Sequence, residues 1–159
     1  MLIHLPRTDD KEVACVLQNA TVDQHFTFKT IPNLSVTVYA GTSFAPHPSY
    51  PPPANRCPAG QFPLIAIDVP VDRLPDEMPP DPNNVMPFIV AFQPANTVAS
   101  QPVAVSFPNL LNNAPGTPMQ LSTLDPTKGV MVIYGTGVVS PDGTQVIPDL
   151  NPATPGKRY

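Results

Sequence analysis

The side chains best suited to chemistry in this sequence of 159 residues are two cysteines, three histidines and a scatter of carboxylates. Cys15 and Cys57 could join in one disulfide, whereas no CxxC or Cys/His spacing offers zinc a tetrahedral ligand set. Cys15 lies in the apolar run Val13-Ala14-Cys15-Val16-Leu17, where a buried free thiol would also be at home. Cys57 lies in a proline-rich stretch, and an exposed thiol there would be a liability outside the cell, which favours the bridge. Such a bridge would stabilise the fold by roughly 3–4 kcal/mol if it acts by restricting the unfolded chain. His4, His25 and His47 stand in unrelated contexts without metal-ligand spacing and read as surface or loop residues.

The carboxylates gather at Asp9-Asp10, at Asp72, Asp76, Glu77 and Asp81, and at Asp142 and Asp149. Oxygen-rich loops at one end of a β-sandwich can hold Ca²⁺, which takes six to eight hard ligands. Neither an EF-hand nor a nonapeptide spacing is present, so solvated loop acids are the plainer reading and no cofactor is expected. Glycoside hydrolysis would need two carboxylates at a set separation across a cleft, which a sequence does not display. With no Trp and four Tyr, a stacking platform for sugars is poorly supported. No G-x-S-x-G nucleophile motif occurs. Gly135-Thr136-Gly137 is not followed by a helical pattern, so it is expected to permit a bulge or a tight turn rather than to hold phosphate. No catalytic residue is assigned.

The elements that would position these groups are strands. Proline accounts for 25 residues and glycine for only 8. Proline lacks the backbone donor and clashes in a helix interior, so this density excludes long helices almost everywhere. Period-2 alternation appears at His25–Thr30 and Leu34–Tyr39, and an almost continuous apolar run at Leu64–Val69 reads as a deeply buried strand. Val13–Leu17, Phe88–Phe92, Val103–Phe107, Met119–Leu124, Val130–Tyr134, Val138–Ser140 and Thr144–Ile147 complete the β pattern. Ser140-Pro141-Asp142-Gly143 between β-branched runs is a hairpin signal. Residues 46–58 carry six prolines in thirteen positions and favour a stiff extended loop, which could also serve as a recognition arm.

Composition narrows the partners. Charged residues are 13% of the chain, about half the usual share, and the net charge is −4. Lys157-Arg158 is the only adjacent cation pair, so the clustered basic groups that nucleic acid binding requires are missing. No apolar stretch reaches the ~20 residues that span a bilayer. Residues 1–6 lack the basic start and apolar run of a signal peptide, so a leader, if the protein is exported, would lie upstream.

Pro87-Phe88-Ile89-Val90-Ala91-Phe92-Gln93-Pro94-Ala95, Pro102 to Asn109, Ala114-Pro115-Gly116, Leu124-Asp125, Gly135 to Ser140 and Asp142-Gly143-Thr144 together resemble a ZU5-type β-sandwich. Leu34–Gly41 looks like the entry strand of the same module. Such modules occur in large secreted bacterial proteins that also carry carboxypeptidase-regulatory-like, NHL or RHS repeats. The resemblance covers about residues 31 to 149, rests on strand and turn features, and transfers no catalytic residue. The proline-rich stretch at 46–58 departs from it. It also implies a further apolar strand beyond Tyr159, and hence a truncated chain. ZU5-type domains are sometimes linked to self-cleavage at a His-Phe-Ser type site. His25-Phe26-Thr27 has a similar order, but it lies outside the resembling region and alternates like an ordinary strand.

The expectation is therefore an all-β, Ig-like or ZU5-like sandwich of about eight to ten short strands. Residues 1–30 would form an N-terminal strand-rich segment or arm, 31–149 the sandwich and 150–159 an extended tail. Its expected role is non-catalytic: a structural or binding module of a secreted or cell-surface protein. Its partners would be other protein domains or further copies of itself. The alternative is a subunit of an extracellular fibre or sheath that donates proline-rich arms as strands.

Overall fold

The computed structural model describes residues 13–70, 88–125 and 129–149, all strand and loop. Eleven strands are present: β1 Val13–Leu17, β2 Gln24–Phe28, β3 Ile31–Val38, β4 Phe44–Ala45, β5 Gln61–Asp68, β6 Val90–Gln93, β7 Val98–Ala99, β8 Val103–Pro108, β9 Pro118–Asp125, β10 Val130–Val139 and β11 Gln145–Pro148. β4 and β7, two residues each, are the strands that the sequence pattern does not mark, being too short to leave a periodic signal. The protein is all-β, as the proline density and alternation require.

The strands form a six-stranded sheet in the order β2-β3-β8-β11-β10-β9, a three-stranded sheet β1-β5-β6, and the small pair β4-β7. Every described pairing is antiparallel. β1 and β2 are hydrogen-bonded into the two larger sheets, so residues 13–28 are built into the sandwich rather than standing apart from it.

Alternation decides what lies between the sheets. Leu34, Val36 and Val38 of β3 pack with Ala14 and Val16 of β1 and with Phe62, Leu64 and Ala66 of β5. Val103, Val105 and Phe107 of β8 and Val90 and Phe92 of β6 border that core. Phe44 stacks on Phe62 at 5.0 Å between ring centroids, which ties the small β4-β7 pair to the three-stranded sheet. Burying each such side chain is worth about 1.5–3 kcal/mol. A second cluster, Leu121, Val139 and Val146 with Met119 and Tyr134, supports the β9–β11 end of the large sheet.

β5 is buried on both faces: Phe62 to Ile67 are all inaccessible, Ile65 and Ile67 on the side opposite the core. Pro63 is tolerated within it for a geometric reason. The Gln24 amide bonds both the N–H and the C=O of Leu17, at 2.9 Å each, so Leu17 turns its backbone groups away from β5. By alternation Cys15 does the same, and Pro63, its cross-strand neighbour, points its nitrogen toward β6. Pairing with β6 begins only at Ile65, so no ladder bond is lost.

Cys15 and Cys57 form a disulfide, with Cα atoms 5.5 Å apart, that fastens the proline-rich loop to β1. The proline-rich loop has no strand between Pro46 and Pro58. Val130–Tyr134 and Val138–Ser140 are not separate strands: they run together as β10, and Gly135-Thr136-Gly137 lies inside it. The alternative of a bulge is what forms, because pairing with β9 skips Tyr134 between Ile133 and Gly135. Gly137 serves a second purpose. A Cβ there would lie 2.6 Å from the Ile147 carbonyl oxygen and 3.1 Å from Val146 Cγ1. Gly137→Ala should force β10 and β11 apart and destabilise the protein by about 1–3 kcal/mol, read as a lowered urea midpoint at unchanged slope.

Candidate binding cleft

The two sheets part where β6 hands over to β7, leaving an open cleft of about 540 Å³. Val36 of β3, Leu64 of β5 and Val103 and Val105 of β8 form its floor, with the Phe44 and Phe92 rings as walls. These are also core residues, so the cleft is the place where the sandwich interior reaches the surface. Its rim is neutral and polar: Asn96, Thr97, Ser100 and Gln101.

Local folding fixes that rim. The Gln93–Pro94 peptide bond is cis, and Asn96 takes a left-handed conformation at φ 56°, one that Asn adopts more readily than most residues. The Thr97 hydroxyl donates to the Pro94 carbonyl at 2.8 Å and closes the turn. The Ser43 N–H donates to Ser100 Oγ at 2.9 Å, and the Ser100 N–H donates to the Ser43 carbonyl at 2.8 Å. Gln101 Nε2 donates to the Ala40 carbonyl at 3.3 Å. The rim is thus held by its own hydrogen bonds, while the Asn96 amide is exposed to an incoming group. Among the described residues the lining holds no ionisable side chain. What it can do is enclose an uncharged apolar group and offer hydroxyl and amide hydrogen bonds at its edge.

The residues singled out in the sequence lie elsewhere. His25 is on the outer side of β2, its Nδ1 3.0 Å from Thr37 Oγ1. Thr27, two residues on, sits opposite Ser35 in the ladder next to the Phe28 register shift, so His25-Phe26-Thr27 is a stretch of strand. His47 is in the proline-rich loop, its ring 5.6 Å from that of Tyr50 and its Nδ1 accepting the Ser49 N–H at 3.2 Å. His4, Asp9, Asp10, Asp72, Asp76, Glu77 and Asp81 lie outside the described residues. Among the described residues no group of three or more His, Cys, Asp or Glu side chains could hold a metal ion.

Asp142 belongs to the hairpin between β10 and β11. Its Oδ1 accepts from the Ser140 hydroxyl at 2.5 Å, the Thr144 N–H at 3.0 Å and the Thr144 hydroxyl at 2.8 Å. The Ser140 hydroxyl above all, and then the Thr144 amide and hydroxyl, hold its carboxyl down at about 2. Beside this turn, Asn109 Nδ2 donates to the carbonyls of Asn113 and Gly143, both at 2.9 Å, and joins two loops. Thr42 is buried with its Oγ1 unpaired among the described residues.

The rim of the cleft was not visible as a site in the sequence. Asn96-Thr97-Val98-Ala99-Ser100-Gln101 reads as an ordinary polar connection, and its floor residues read as core. Comparison with family models, curated proteins and solved structures finds no match.

The Asp142 contacts set a pH dependence whose sign follows from the lowered value. A carboxyl held below its unfolded value stabilises the fold above that value, and the contribution disappears as pH falls through the folded one. The stability difference between the protein and Asp142→Asn should stay constant at neutral pH and shrink from about pH 4 toward about pH 2. A carboxyl carbon titration by NMR should place the Asp142 midpoint at about 2.

Proposed function

We propose that this chain is a non-catalytic binding or structural module of a secreted or cell-surface protein, and that the neutral cleft is its contact site. The observation that carries the reading is a cleft floored by aliphatic core residues, rimmed by amides and hydroxyls and lined by no charge. Apolar floors with a few placed polar groups are the usual form of ligand and peptide sites. The preferred occupant is an uncharged aliphatic group, such as a Leu or Val side chain on an extended segment of a neighbouring domain.

The compartment is inferred from the disulfide, because such bonds persist in oxidising surroundings. Among the described residues there is no helix long and apolar enough to cross a membrane. The ZU5-like run of strands and turns supports a place among other domains in a longer protein. The Ca²⁺ reading has less support, since Asp142 spends three hydrogen bonds on its own turn.

Titration of the ¹⁵N-labelled protein with N-acetyl-leucine amide tests the cleft directly. Amide shifts should gather at Val36, Phe92, Thr97, Ala99 and Val105, and the affinity should not change with salt, because no charge takes part. Ala99→Glu should abolish them. Shifts spread evenly over the surface, or a strong salt dependence, would overturn the assignment.

A further inference from the structure

Asp142-Gly143 is the Asp-Gly pair of this sequence, and such pairs are chemically fragile because glycine leaves the following amide nitrogen unhindered. In the reaction that threatens it, the Gly143 nitrogen attacks Asp142 Cγ. The amide proton and the hydroxyl of the protonated carboxyl depart as water, and a succinimide one water lighter remains. Water then opens the ring at either carbonyl. One opening restores aspartate, and the other carries the main chain through Cβ as isoaspartate. No oxidant or further reagent is needed.

The turn opposes each part of this reaction. Oδ1 is tied to three donors, the Ser140 hydroxyl and the Thr144 amide and hydroxyl, which hold the carboxyl group over Thr144. The nucleophile is tied as well: the Gly143 N–H donates to the Ser140 carbonyl at 2.9 Å. The next peptide is held as well, since the Gly143 carbonyl accepts from Asn109 Nδ2 at 2.9 Å, so Gly143 is anchored through both its N–H and its carbonyl. Ser140 is itself held, since its Oγ accepts the Gln145 N–H at 3.0 Å and the residue is almost fully buried. A carboxyl kept ionised is also a poor electrophile, and Asp142 is held at about 2.

We infer that Asp142 is a latent isoaspartate modification site, and that the Ser140–Asp142–Thr144 clamp with Asn109 keeps it closed while the hairpin is folded. Conversion would insert a methylene into the main chain two residues from β11, whose Val146 packs with Val139 and Leu121. Damage at this turn would therefore reach the second core cluster.

The test is ageing of the intact chain at neutral pH, with isoaspartate counted by methyltransferase labelling and assigned by peptide mapping. The native protein should form isoaspartate at residue 142 far more slowly than the same chain held unfolded in urea. Ser140→Ala and Thr144→Val should each accelerate it roughly tenfold, since each removes one hydrogen bond to a charged group. Where a variant fails to fold, the other variant and the native-to-unfolded comparison decide. Equal rates in the native and urea-unfolded chain, or folded variants that age no faster than the parent, would overturn the inference.

Discussion

The architecture depends on β5 being inaccessible on both faces. Phe62, Leu64 and Ala66 meet β3 and β1 across the core, while Ile65 and Ile67 are buried on the opposite side. Among the described residues β5 is the strand that bonds both β1 and β6, so the smaller sheet exists through it. The stacking of Phe44 on Phe62 and the disulfide at Cys15, opposite Pro63, attach the loops to the same strand neighbourhood. A chain with this much proline has few other ways to build an interior. Proline removes donors, so the ladder must place it at bends, ends and skipped positions, as it does at Pro63.

The same constraint shapes the site. Where β6 ends at Gln93, the chain must turn at Pro94, and the sheets are not closed over Val103 and Val105. The cleft is thus a by-product of how the smaller sheet stops short, held open by rim residues that bond to one another and to the β3–β4 loop. Low charge belongs to this picture. A binding surface without ionisable groups relies on shape and apolar contact, and it is indifferent to ionic strength.

Much of the fold was legible in the sequence because alternation is a local signal. Val13–Leu17 is a strand with the same limits in sequence and structure, and the continuous apolar run at Leu64–Val69 marked the doubly buried strand. The hairpin at Pro141-Asp142-Gly143 followed from turn chemistry. Three features were not legible. β4 and β7 are two residues each and owe their pairing to Phe44 meeting Phe62, a contact between distant segments. The joining of two apparent strands into one was not legible, because Gly135-Thr136-Gly137 left a bulge and a tight turn equally open; the bulge at Tyr134 forms, and Gly137 permits the close approach of β11. The cleft is a matter of where sheets end in space, and no local pattern in Asn96 to Gln101 announces that.

The proposed discrete module, meeting partners through a site on its surface, and the repeating unit of a fibre differ in how the chain associates. Among the described residues β2 and β9 are the outermost strands of the large sheet, the places where copies would add to one another. Analytical ultracentrifugation of the purified chain, with and without reductant, decides between the two. A discrete module gives one compact species near 17.0 kDa over a wide concentration range. Large assemblies that persist in reductant would contradict it and make self-association the function to pursue.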